Sequence, residues 1–250
     1  MKALKLWIMM FTFCLLTTGC SFLSGEKKTV AAPPIPTYPG WTTVNLKDVG
    51  TMQIPPTLEV QTTEYLNKLA ELYKDKPDKL TELRKNTTLA LSFNRVICQP
   101  KGINDSGKEP TKEAKSATVI FSIIQTKDRV PTYGQPIGLN EAQIKEFGQI
   151  TQESIMKNNT FLGNNMKFLK WVPMKSEIIN GAECLHIAYE RQVGNEPSEY
   201  VDRYIFFDKD KLYTLELSSR TTEKDYWHAK DKDITNIVNT LNISSKPAKK

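Results

Sequence analysis

Histidine is nearly absent from this 250-residue chain, which has only His186 and His228, and cysteine is scarce, with four residues and no C-x-x-C pair. The sequence also has no G-x-S-x-G nucleophile elbow, no H-E-x-x-H pair and no phosphate-binding P-loop. Those absences exclude the serine hydrolases, zinc proteases and nucleoside triphosphatases that such motifs serve. A hydrolase using scattered carboxylates survives the test, because paired Asp and Glu need no local spacing. What is present is ordinary: 39% hydrophobic and 25% charged residues, enough chain for one sizeable core and no internal repeat.

The amino terminus stands apart. Lys2 and Lys5 precede an apolar run from Leu6 to Leu16, and Thr17-Thr18-Gly19-Cys20 closes it. This is the layout of a bacterial secretory signal over residues 1–19, with an apolar core too short to span a bilayer comfortably. Cys20 directly after Gly19 resembles the lipobox of bacterial lipoproteins, which implies a diacylglyceryl group on the Cys20 sulfur, cleavage before it and a second acylation on the new amino terminus. Thr17 stands where such sequences prefer Leu, so a plainly cleaved signal or an uncleaved anchor remains open. The expected address is the extracytoplasmic side of a bacterial membrane, with Ser21 compatible with outer-membrane sorting. Residues 20–40 then form the lipidated Cys and a linker carrying Pro33, Pro34, Pro36 and Pro39.

Loss of residues 1–19 lowers the formal charge from +6 to +4, because Lys2 and Lys5 leave with them. Nucleic acid is therefore not an expected partner. Lys27, Lys28, Lys246, Lys249 and Lys250 read as solvated tails in preference to a lipid-headgroup contact. Cys98 and Cys184 remain after Cys14 departs and Cys20 is acylated, and they are open to two readings: one disulfide, or two buried thiols in strands.

From Trp41 onward the chain alternates strand and helix signals. Trp41 to Lys47 and Thr51 to Ile54 read as a hairpin stopped by Pro55-Pro56. Tyr65, Leu66, Leu69, Leu72 and Tyr73 repeat at three and four within a helical excursion from Thr62 to Arg84. Thr88 to Cys98 and Ala117 to Thr126 are strands around an exposed loop, Gln99 to Ser116. Asn140 with Gln143 is a relative of the capping box, opening a helix to about Asn158 whose buried face carries Ile144, Phe147, Thr151 and Ile155. A meander from Ile178 to Leu217 is the strongest local signal, since Asn180-Gly181 favours a two-residue type I′ turn and Tyr213, Leu215 and Leu217 alternate with Thr214, Glu216 and Ser218. Ile234, Ile237, Val238 and Leu241 close the domain as the apolar stripe of a last helix.

That order, with Ile54-Pro55, Ile179-Asn180-Gly181-Ala182, Tyr204-Ile205-Phe206, Asp210-Lys211-Leu212-Tyr213-Thr214-Leu215, Trp227 and Asn239-Thr240-Leu241-Asn242-Ile243, resembles the PsbP-like (PsbP/DcrB-like) family of bacterial lipoproteins over residues 41–243. The resemblance implies an α+β fold, an antiparallel β-sheet flanked by helices on both sides (α/β/α sandwich), followed by a basic tail at 244–250. It also implies a binding or assembly module, as in a photosystem accessory subunit or a Ran-binding import factor, with any partner surface expected on the excursion from Thr62 to Arg84. Fold alone does not fix function.

The candidate chemical residues each have a plainer reading. His186 is in phase with Cys184 on a strand and reads as a half-buried structural imidazole in preference to a catalytic base. His228 lies near Asp225, Asp231 and Asp233, but the spacing matches no recognised metal site, and Asp231 and Asp233 suit a helix start. Asp208 and Asp210 read as a solvated hairpin tip because Lys209 and Lys211 interleave and the calcium-loop Gly is missing. Tyr200, Tyr204, Phe206 and Phe207 read as core before pocket. No catalytic residue, cofactor or metal is expected, and the one assigned site is lipidation at Cys20. The chain is thus expected to be a lipid-anchored, non-enzymatic envelope module binding an unnamed protein or envelope component; a small envelope hydrolase with a carboxylate site and a solute-binding or adhesion lipoprotein are the alternatives.

Overall fold

The computed structural model describes residues 34–47, 49–78, 80–81, 95–108, 115–126, 129–161 and 165–244. Residues 1–33, with Cys20 and Lys27-Lys28, lie outside that range, as do Lys246, Lys249 and Lys250. The strands are β1 (Thr42–Asn45), β2 (Gly50–Ile54), β3 (Leu58–Val60), β4 (Val96–Pro100), β5 (Ala117–Gln125), β6 (Met166–Ile179), β7 (Ala182–Val193), β8 (Glu199–Asp208), β9 (Lys211–Arg220) and β10 (Asn242–Ile243). The main helices are α1 (Thr63–Leu72) and α2 (Glu141–Phe161). Seven strands form an antiparallel sheet in the order β3-β4-β5-β9-β8-β7-β6, and β1-β2-β10 form a second, three-stranded sheet.

The meander is as the sequence suggests, and its turn carries more than a reversal. Asn180 and Gly181 take φ of 51° and 80°, the left-handed pair that a type I′ turn requires, and Ile179 faces Ala182 across it. Asn180 also donates through Nδ2 to the carbonyls of Asn239 and Leu241, both at 2.9 Å. The side chain thereby satisfies carbonyls at the end of the closing helix, a task glycine could not perform.

Alternation along the strands divides the interior into two cores. On one face Val119, Phe121, Cys184, Phe206, Leu215 and Leu217 pack against the small sheet and against Trp227, Ile237 and Leu241. On the other, Leu185, Ile187, Tyr189, Val201 and Ile205 lie with Ile155, Ile144 and Phe147 of α2. The capping box at the start of α2 is reciprocal: Asn140 N donates to Gln143 Oε1 and Gln143 N to Asn140 Oδ1, each at 3.0 Å. The fold is therefore α+β, an antiparallel sheet with helices on both sides. On the first face the helices are short, Lys224–Trp227 and Ile234–Thr240, and the three-stranded sheet shares the covering.

Several elements differ from expectation in form. The closing helix is a 3-10 helix, yet its stripe survives because a three-residue repeat aligns Ile234, Ile237 and Thr240, all buried. Thr240 Oγ1 accepts from Gln53 N at 2.8 Å and donates to Ile237 O at 2.7 Å, tying the helix to β2. The expected strand from Thr88 shows only its end, β4, since residues 88–94 fall outside the described range, and the loop expected from Gln99 begins inside β4 and includes a helical turn at Ile103–Ser106. Helix α1 starts at the Thr62 cap, whose Oγ1 accepts from Tyr65 N at 3.2 Å, and buries Tyr65, Leu69 and Tyr73 in a small core of its own.

The disulfide reading of Cys98 and Cys184 fails on geometry. Both thiols are free and buried, and β4 and β7 are separated by β5, β9 and β8. Four strand spacings of ~4.8 Å put them roughly 19 Å apart, whereas bridged Cα atoms lie within about 7 Å. Burial pushes both thiols up to about 12, so they remain protonated. Denatured, unreduced protein is expected to take alkylating reagent at both cysteines, and peptide mapping after reduction should show no additional modified site.

Candidate functional site

His186 sits on β7 between Lys175 of β6 and Tyr204 of β8, its register partners. Its side chain is 12% exposed. Nδ1 lies 3.1 Å from Glu177 Oε1, Nε2 lies 2.9 Å from Asp202 Oδ1, and the ring stacks on Tyr204 with centroids 4.3 Å apart and planes 2° from parallel. Lys175 Nζ approaches Glu177 Oε1 at 2.5 Å, and the Tyr200 hydroxyl donates to Asp202 Oδ1 at 3.3 Å. An ionised carboxylate only accepts, so both ring nitrogens must donate, and the bonding pattern is that of an imidazolium. Burial alone would lower the His186 pKa, but the bonds and charges of Asp202 and Glu177 raise it above its ordinary value. Burial works against Glu177 as well, and its bonds to Lys175 and His186 still hold its carboxyl below the usual range.

This arrangement restricts the chemistry. A general base needs a nitrogen lone pair, and His186 presents none while both carboxylates hold its protons. The structural reading of this residue agrees with the geometry. Sequence reasoning did not connect it to Glu177 and Asp202. Glu177 was within reach, since counting outward from Asn180-Gly181 pairs it with Cys184, on the same face as His186. Asp202 needed the register across Val193 to Ser198, which no local pattern supplies.

The opposite face of the same strands holds a second charged network. Arg203 donates through Nε and Nη2 to Glu216 Oε2, the Nε contact being 2.9 Å, while Arg191 Nη2 lies 3.0 Å from Glu199 Oε2 and 3.9 Å from Glu216 Oε1. Burial opposes ionisation of Glu216, whose side chain is 13% exposed, yet Arg203, Arg191 and Arg95 keep its carboxyl below the ordinary range. Tyr189 stacks on Trp171 at 5.5 Å and meets Phe168 edge-on at 5.3 Å, and its buried hydroxyl has no hydrogen-bond partner among the described residues.

The remaining candidates resolve into structural roles. His228 Nδ1 is 3.4 Å from Asp233 Oδ1, which itself caps the 3-10 helix by accepting from Thr235 N at 3.0 Å, while Asp225 and Asp231 are exposed. Among the described residues no group of three or more His, Cys, Asp or Glu is placed to hold a metal. Asp208 corrects the solvated-tip expectation: it is buried, with Oδ1 accepting from Tyr133 N at 3.2 Å and Oδ2 from the Tyr213 hydroxyl at 3.1 Å, because the segment before Tyr133 folds over the tip and Lys209 N donates to Pro131 O. Tyr204, Phe206 and Phe207 are buried core residues and Tyr200 is half-buried. No described helix is long and apolar enough to cross a membrane.

No protein-family model and no curated protein matches this chain. Fifteen chains among solved structures are similar to it, two of them as follows. One is the solution structure of cyanobacterial PsbP (CyanoP) from Synechocystis sp. PCC 6803, 10% identical with a TM-score of 0.43 over 89% of this chain and 99% of that one. The other is the crystal structure of PA94, a protein of unknown function from Pseudomonas aeruginosa, 10% identical with a TM-score of 0.34 over 82% of this chain and 99% of that one. At these values neither says what this chain binds, and the α+β fold stands on its own strand register.

Glu216→Ala leaves Arg203 and Arg191 without their shared acceptor and is expected to cost about 3 kcal/mol, the scale for breaking a largely buried pair from one side. The Glu216 pKa is depressed on folding, so its contribution is present above the unfolded value and is lost as pH falls through the folded one. Urea unfolding should therefore separate wild type from variant at pH 7 and bring them together in acid.

Proposed function

We propose that this protein is a lipid-anchored, non-enzymatic PsbP-like module of the bacterial cell envelope, held through Cys20 on the extracytoplasmic side of a membrane and acting by binding or assembly with a protein or envelope component. The observation that supports the non-enzymatic part is the state of His186: both ring nitrogens face carboxylates, so the one histidine in the sheet serves as a structural cation and offers no lone pair to histidine-based catalysis. The anchor rests on the signal-like residues 1–19 and on Cys20. Two acyl chains hold a protein to a bilayer where one does so only marginally.

The excursion carrying α1 is the part of the domain best suited to a partner. It has a separate small core under Tyr65, Leu69 and Tyr73, it leaves Leu72 48% exposed, and none of its described residues belongs to either main core. A surface patch that can vary without disturbing the sheet is where binding specificity is most freely placed.

Cys20→Ala is expected to abolish palmitate incorporation and to move the protein from the membrane to the soluble envelope fraction. In-cell crosslinking followed by mass spectrometry should recover a partner with linkages on residues 62–81. Unchanged fractionation of the Cys20 variant would overturn the anchor, and turnover of an envelope substrate by the purified domain with no crosslinked partner would overturn the binding module.

A further inference from the structure

We propose that Glu177, His186 and Asp202 form a pH-sensitive latch that fastens the edge strand β6 across β7 to β8, closed when the imidazole carries two protons and open on the β6 side when it carries one. The inference does not depend on what the module binds.

Strand β6 needs such a fastening. It is the outer strand of the seven-stranded sheet, paired among the described residues with β7 alone, and that pairing is irregular between Phe168 and Lys170 and between Val172 and Lys175. Pro173 and the lysines Lys167, Lys170 and Lys175 protect it from pairing with another chain, and the same features weaken its hold on the sheet. The ladder is regular again from Lys175 to Ile179, where Glu177 reaches over to His186. One side chain from each of three consecutive strands is thus joined in a row.

The groups facing His186 determine how the row opens. Lys175 and Glu177 face it from β6, Cys184 lies on its own strand, and Tyr200, Asp202 and Tyr204 face it from β8. Cys184 and Tyr200 are pushed up to about 12 by burial, and Tyr204 is raised further still, so these three stay neutral while an imidazole titrates. Removing one proton from His186 sets a nitrogen lone pair against a carboxylate oxygen, and one of the two contacts must part. Asp202 is the more buried carboxylate and keeps its Tyr200 bond, whereas the Glu177 side chain is 26% exposed and keeps Lys175. The contact that parts is the one to Glu177, leaving the proton on Nε2.

The sign follows from linkage. The His186 pKa is raised on folding, so the latch is fully formed below the unfolded value of about 6.5 and is lost as pH rises through the folded value. With only two histidines in the chain, imidazole resonances can be assigned by comparing wild type with His228→Gln.

The test is an NMR titration of His186 ring nitrogens, with Glu177→Gln as the companion because its partly exposed side chain keeps the variant folded. Expected are imidazolium shifts at both nitrogens below pH 6.5, a titration midpoint above 6.5, an Nε2-protonated tautomer above it, and a lower midpoint in Glu177→Gln. Urea midpoints should fall as pH rises from 6 to 9 in wild type and change less in the variant. A midpoint at or below 6.5, an Nδ1-protonated tautomer at high pH, or identical pH dependence in Glu177→Gln would each overturn the latch.

Discussion

Two positive φ angles, at Asn180 and Gly181, fix the register on which much of this structure depends. They set Ile179 against Ala182 and Glu177 against Cys184, and so decide that Glu177, Cys184 and His186 share one face of the sheet. In a structure with a two-residue side-chain period, a slip of one residue would send all of them to the other face. The same asparagine ties the hairpin to the closing 3-10 helix through Asn239 and Leu241, so the turn joins the large sheet to the element that covers it. Local backbone geometry and a contact about sixty residues away in sequence are held by one side chain.

How much of this was legible in the sequence depends on whether the determining contacts are local. The capping box at Asn140 and Gln143, the alternation of Tyr213, Leu215 and Leu217, and the stripe from Ile234 to Leu241 are each contained in a few residues, and each has the expected place in the fold. Strands β3 and β10 have three and two residues and gain their identity only from partners, Leu58 from Pro100 and Asn242 from Thr51. Segments that short carry no period. Asp208 departs from expectation for a related reason: its neighbours Lys209 and Asp210 describe a solvated tip, and the Pro131 and Tyr133 backbone that closes over it comes from far earlier in the chain.

The candidate site was legible by half. The reading of His186 as a structural imidazole on a half-buried strand agrees with its two carboxylate contacts, and the turn register contains enough information to place Glu177 beside it. Asp202 lies across the loop from Val193 to Ser198, which has no turn signature as strict as Asn-Gly, and the Arg203–Glu216 pair depends on the Lys209-Asp210 turn that sets Asp208 against Lys211, where neither residue is the glycine that would mark the register. Electrostatic partners on three strands are a consequence of register and cannot be read before it.

The two charged networks also act back on that register. Alternation puts Asp202 on the face of His186 and Arg203 on the face of Glu216. Sliding β8 by a single residue would exchange them, bringing the Arg203 guanidinium toward the His186 imidazolium and Asp202 toward Glu216. Both new pairings join like charges in partly buried surroundings, where the cost is far higher than in water. The apolar residues of β8 discriminate less well, since Val201 and Ile205 on one face and Tyr204 and Phe206 on the other would all remain buried after the slip. Buried ion pairs often add little net stability relative to apolar packing. Here their contribution lies in the difference between one strand alignment and the next, and β8, hydrophobic on both faces, is the strand that most requires it.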